Sequence, residues 1–268
     1  MKNSGSALKA VPAWLYLPAA IGVALVLLPP IALAVNTPWD DFWGNITSES
    51  SVDALELSLR TAAISTVLCI VLGVPMAIVF ARRTGMPIRV LRSVVLLPLV
   101  LPPVVGGIGL LYAFGKFGLV GEPLAAIGID IAFSTTAVIL AQTFVALPFL
   151  VISLEGALRS IGSRYEQVAA TLGASPTRTL WKVTMPLVFP ALLSGMVLAF
   201  ARALGEFGAT ITFAGNLQGV TQTAPLAIYV ESISEPEQAL PLSIVLVIVA
   251  LLVVIAVHLR DSTRTATL

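Results

Sequence analysis

An arginine and a glutamate stand four residues apart in an otherwise apolar run: Arg202 and Glu206, within FARALGEFGATITFAGN, residues 200–216. On a helix that spacing puts both on one face, within pairing distance. A charge at the centre of a membrane helix costs about 2.5–3.5 kcal/mol on insertion scales. Pairing lowers the cost without explaining why the charges are there. Ionisable groups at membrane depth ordinarily face a bundle interior or a water-filled cavity. Gly205 and Gly208 permit close helix approach or local unwinding, and Thr210 and Thr212 add hydroxyls. Two roles are open to this strip. It lines a translocation path near one mouth, or it is a structural ion pair locking two helices or two subunits.

The chain around the strip is built for lipid. Of its 268 residues, 57% are hydrophobic and 11% charged, against about 25% charged in a soluble domain. Mean hydropathy is +0.99. Such a composition cannot cover an aqueous surface, and it predicts an all-α polytopic membrane protein with little soluble mass. The net charge of +1 is dispersed among loops and implies no nucleic-acid partner. With one cysteine, Cys69, no internal disulfide can form, and no Cys/His cluster is spaced to hold a metal. His258, the single histidine, ends the last apolar run.

Windows of about 20 apolar residues mark membrane spans. Six are expected: 12–35, 57–81, 93–114, 134–154, 187–213 and 241–259. The third contains LPLVLPPVVGGIG, with Pro98, Pro102, Pro103, Gly106 and Gly107, so it should be kinked or partly broken. Irregular backbone survives at membrane depth where it is buried in protein or lines a cavity. Pro102 and Pro103 are therefore candidate path residues, a packed kink being the alternative. The first span carries ALA at 32–34, similar to a signal-peptide cleavage site. Its apolar stretch exceeds an h-region of about 7–15 residues, which makes it an anchored helix.

Lysines and arginines orient the spans. Twelve fall in the N-terminal tail, the 82–92 loop, the 155–186 loop and the C-terminal tail, whereas the alternate segments hold only Lys116. Both termini are therefore expected in the cytoplasm, with tails at 1–11 and 261–268 and acidic outer loops.

The 155–186 loop is more than a linker. Ser163 can cap a helix with Glu166 at its third position, a capping-box arrangement. Tyr165, Val168, Ala169 and Leu172 then share a face at i, i+3, i+4, i+7. Gly173 suits a left-handed C-cap. Ser175 and Pro176 start a second helix running to Pro186 at the membrane. A helix–glycine–helix elbow outside the bilayer is a docking surface that a partner can move as a lever. The alternative, a helix resting on headgroups, is less favoured because the face has no bulky anchor except Tyr165.

Here the sequence resembles the membrane permease subunits of ABC importers, with their cytoplasmic EAA---G---------I-LP loop. Ala169, Gly173 and Pro186 match, while Gln167 replaces the glutamate, with Glu166 one residue earlier, and Val168 the first alanine. The resemblance implies that Tyr165, Glu166, Gln167, Val168, Ala169, Leu172, Gly173 and Pro186 couple to an ATPase. The near-miss GLLYAFGKF is no Walker motif, having one residue too many between Gly109 and Gly115 and Phe117 where Ser or Thr belongs. ATP and magnesium would therefore be bound by a separate ATPase subunit, with no cofactor in this chain and no enzymatic activity of its own.

The segment RALGEFGAT…FAGN…TQTAPLAIY, Arg202 to Tyr229, is similar to the signature of molybdate and tungstate permeases, and more distantly to sulfate and thiosulfate permeases. Where the family has NxPGxT, this chain has Asn216, Leu217, Gln218, Gly219, Val220, Thr221. The resemblance covers about residues 50–260. It implies a type I importer (MetI-like) permease fold over 56–260, a homodimer in the cell membrane, two ATPase subunits on the elbows, and an extracellular or periplasmic oxyanion-binding protein. Arg202, Gly205, Glu206, Gly208 and Thr210, with Pro102 and Pro103, are the candidate path. Rivals are a sulfate or thiosulfate permease, a stand-alone secondary transporter or channel, and a membrane anchor or signalling protein.

Overall fold

Two polar residues decide where the longest helices begin. Ser48 Oγ accepts from Ser51 N–H at 3.3 Å and Ser134 Oγ from Ala137 N–H at 3.3 Å, each satisfying an orphan donor of a first turn. The computed structural model describes residues 12–265. The tail expected at 1–11 lies outside the described residues, as do 266–268. Among the described residues the regular structure is entirely helical. In chain order it comprises α1 (Tyr16–Asn36), α2 (Phe42–Ile46), α3 (Glu49–Arg82), α4 (Met86–Val95), α5 (Pro103–Phe114), α6 (Gly121–Ala125) and α7 (Thr135–Ile161). It continues with α8 (Arg164–Thr171), α9 (Pro176–Thr179), α10 (Met185–Leu204), α11 (Gly208–Phe213), α12 (Ala224–Ser234) and α13 (Ala239–Thr265).

Helices α3, α7 and α10 form the core, and small residues set their spacing. A Cβ on Gly73 of α3 would lie 2.8 Å from Leu150 Cδ2 of α7, and one on Gly195 of α10 would lie 3.2 Å from Ser153 Cβ. Ala62, Cys69, Ala77, Ala146, Ala199 and Ala203 continue the pattern around Phe80, Leu150 and Leu154. In lipid there is little hydrophobic gain from burying apolar faces, so close backbone approach and interhelical hydrogen bonds hold such bundles. Ser65 Oγ supplies one, donating to Ile139 O at 3.0 Å, and Ser153 Oγ another, donating to Ala191 O at 3.1 Å. Helix α1 has no buried residue and leans on α13.

Among the described residues, four single helices are long and apolar enough to cross a membrane: Ala13–Asn36, Glu49–Arg82, Thr135–Ile161 and Pro176–Leu204. Two of the six expected spans take another form. The third is a pair, Met86–Leu99 and Pro103–Phe114, bent by 115°. Pro102 and Pro103 account for the break, since proline lacks an N–H and clashes with the carbonyl four residues back. At 1.5 Å per residue, α5 is about 18 Å long, too short for a hydrocarbon core of about 30 Å. The fifth span starts early, at Pro176, and ends at Leu204 rather than at 213. The last helix is apolar over Ala239–Ile255 and runs on into the segment expected as a tail.

Pro186 does not separate the elbow from the membrane. The helix passes from α9 through a widened π turn, Leu180–Thr184, directly into α10. The wider turn lies where the Pro186 ring would otherwise crowd the Lys182 carbonyl.

Candidate functional site

Arg202 sits in the last turn of α10, and Glu206 lies just beyond that helix's end. They pair although no single helix holds both: Arg202 Nη2 is 2.6 Å from Glu206 Oε2. The glutamate side chain is 1% exposed and the arginine 29%. The other carboxylate oxygen, Oε1, accepts from Ala209 N–H at 2.7 Å. Glu206 therefore does two things. It neutralises Arg202, and it satisfies a first-turn donor of α11, an end that favours negative charge. The helix breaks at Gly205, and the chain turns through Phe207 into α11.

Gly208 and Pro103, both proposed from the sequence, are brought together: a Cβ on Gly208 would lie 2.8 Å from Pro103 Cβ. Gly107, proposed only as a kink residue, is the tightest point of this contact. A Cβ there would meet Thr212 Oγ1 at 1.8 Å and Ala209 O at 2.7 Å. Broken span and broken helix thus brace each other. Thr210 is fully buried and its hydroxyl is unpartnered. Thr212 instead donates to Gly208 O at 3.0 Å, within its own helix. Pro102 is the N-cap of α5 and is exposed.

At the other end of α10 the elbow stands off the bundle. Helix α8 has no buried residue. Tyr165, Val168 and Leu172 are 55%, 54% and 82% exposed, an apolar face left largely uncovered by the described residues. Gly173 has φ +79° and Gly162 φ +68°, so α8 hangs between two left-handed glycines. Ser175 Oγ accepts from Arg178 N–H at 3.4 Å, the cap expected for the second helix. The expected capping box is absent. Ser163 makes no side-chain cap bond and its hydroxyl instead accepts from Gln167 Nε2 at 3.1 Å. Glu166 is turned away to Arg82 Nη2 at 2.6 Å and Thr184 Oγ1 at 2.8 Å. A charge-assisted bond to a guanidinium outweighs one to a neutral backbone N–H.

The sequence reading missed these partners. Arg82 Nη1 also donates to Leu158 O at 3.3 Å. Beside it Glu155, nearly fully buried, accepts from Arg159 Nε at 2.7 Å and lies 3.0 Å from Arg92 Nε. Arg159 Nη2 reaches Phe80 O at 2.8 Å. One signal was available: Glu155 and Glu166 are the only acids in the 82–92 and 155–186 segments, among eight arginines and lysines.

A bundle of membrane-spanning helices with a broken, charge-paired inner element and a projecting elbow set between glycines fits the membrane subunit of a transporter. Residues 59–262 match the family described as the binding-protein-dependent transport system inner membrane component, and the chain belongs to that family. It is 60% identical to the molybdenum transport system permease protein ModB of Mycobacterium tuberculosis, over 96% of this chain and 97% of that protein. The Escherichia coli protein of the same name is 41% identical over 69% of this chain and 81% of its own length. The sulfate transport system permease protein CysT of Escherichia coli is 34% identical over 78% of this chain and 76% of its own. Among solved structures, a chain of a bacterial alginate ABC transporter in complex with an alginate-bound periplasmic protein superposes with TM-score 0.69. It covers 91% of this chain and 92% of that one at 17% identity, a likeness of fold. The protein is a multi-pass membrane transport subunit with the all-α MetI-like permease fold.

Proposed function

We propose that the chain is the permease subunit of an ATP-driven importer of molybdate, with tungstate as the related anion. Two copies form the path. Two ABC ATPase subunits, which bind ATP and magnesium, grip the elbows. A binding protein delivers the oxyanion from outside, and both termini lie in the cytoplasm. The observation that carries the substrate is the 60% identity to a molybdenum permease across nearly both full lengths. The elbow supports the coupling: Tyr165, Val168 and Leu172 offer an apolar face outside the bundle that the described residues leave largely uncovered. Arg202 is neutralised by Glu206, which suits a path that must release a dianion as readily as it admits one.

The deciding experiment is competition for uptake by the reconstituted permease, ATPase and binding protein. Molybdate and tungstate should displace one another, with sulfate in excess having little effect. Preferential displacement by sulfate would install the second reading, a sulfate permease, which the 34% relative favours.

Gly173 tests the lever. An added Cβ meets nothing within 4 Å, so any effect is conformational. Valine at φ +79° is strained, by about 1–2 kcal/mol for a left-handed residue. Gly173→Val should leave ATP hydrolysis running while uptake per ATP falls severalfold, and Gly173→Asn should be milder. Normal uptake per ATP in the valine variant would remove the lever.

A further inference from the structure

Helix α8 is poorly anchored by packing. It buries no side chain, it hangs between Gly162 and Gly173 in left-handed conformations, and it overhangs a cavity of about 390 Å3. That cavity is lined by Arg82, Glu166, Ala170, Ala174 and Thr184, among others. A helix set off by a glycine at each end, with a cavity beneath it, moves the body only through what ties it there. One side chain on α8 does so. Glu166 Oε1 accepts from Arg82 Nη2 at 2.6 Å and from Thr184 Oγ1 at 2.8 Å. Arg82 ends α3 and also donates to Leu158 O of α7. Thr184 closes the π turn that leads into α10.

We propose that Glu166 is a positioning residue for transport. Its carboxylate works inside the subunit, tying the elbow to α3 and to the π turn, so that displacement of α8 is delivered to two spans at once. It is not a contact for the ATPase. This rests on the reading of the elbow as the ATPase handle. The apolar face of Tyr165, Val168 and Leu172 is left to the partner, while the acid faces the cavity.

Two measurements test the tie, one on the permease alone. Spin labels at Thr171→Cys and Val79→Cys report the distance from α8 to α3 in detergent. Glu166→Ala and Arg82→Ala should each broaden that distribution, and the double variant should be no broader than either single. An unchanged distribution in Glu166→Ala, or broadening that adds between the two, overturns the proposal. In the reconstituted complex, the same variants and the milder Thr184→Val should lower molybdate uptake per ATP, about fivefold or more for the two alanine variants. The ATPase should still co-purify. Loss of co-purification in Glu166→Ala but not in Arg82→Ala would mean that the carboxylate touches the partner, and would also overturn it. A wild-type permease that binds no ATPase fails the handle reading instead, and the spin-label arm then decides the tie alone. Should Glu166→Ala not fold, Thr184→Val carries both measurements, and its matching the wild type in both would count against the tie.

Discussion

Glu206→Ala is expected to be the most damaging single change in the chain. It would leave Arg202 without its partner at 2.6 Å and Ala209 N–H without its acceptor at 2.7 Å. Removing one member of a fully buried pair costs about 3–5 kcal/mol, mostly because the other charge is stranded; with Arg202 29% exposed, the lower end applies here. Arg202→Ala strands a carboxylate that is 1% exposed, but that group keeps its bond from the Ala209 N–H. The double change Arg202→Ala, Glu206→Ala removes both charges and loses only the capping-type bond, worth about 1 kcal/mol. The double variant should therefore be more stable than Glu206→Ala alone, measured as the thermal midpoint of the detergent-purified protein. Glu206→Gln keeps an acceptor for Ala209 and should fall between. If the two single effects simply add, the pair is not coupled and the strip is better read as two independent groups on a path.

Gly107→Val should be the next most damaging. An added Cβ would overlap Thr212 Oγ1 at 1.8 Å and, more seriously, approach Ala209 O and Cα at 2.7 and 2.8 Å. A hydroxyl can rotate aside, but a backbone cannot, so α5 and α11 must separate. Overpacking of this kind costs about 1–3 kcal/mol in well-packed interiors, and here it parts the two broken elements from each other. Loss of uptake should accompany the loss of stability. Gly109, two residues along the same helix, is the control, since a Cβ there meets nothing within 4 Å. Gly109→Ala should be neutral, or stabilising by up to about 1 kcal/mol from helix propensity. Equal effects at the two positions would mean that the α5–α11 contact does not organise the bundle.

What could be read in the sequence follows from what is periodic and local. The apolar runs of α1, α3 and α7 announce helices of spanning length, and Pro102–Pro103 announces a break because proline's effect is confined to its own turn. Gly173 and Ser175–Pro176 were legible for the same reason, and both take the conformations their residue types favour. The end of α10 was half legible. Gly205 and Gly208 permit local unwinding, but the span was still expected to run to 213; the helix stops at Gly205, where α11 packs on the broken third span. The capping box failed similarly: its local geometry was available, but Arg82, distant in sequence, offers the carboxylate a stronger bond. Pair spacing was right for Arg202 and Glu206, though the helix assumed to hold them ends between them.

Residues Pro176–Leu204 run as one unbroken helix of 29 residues, about 44 Å at 1.5 Å per residue. The elbow is spliced to one tip and the Arg202–Glu206 clasp closes the other. A rotation applied at the elbow end would reach the Arg202–Glu206 end through this same helix, with the more loosely wound π turn at Leu180–Thr184 between them.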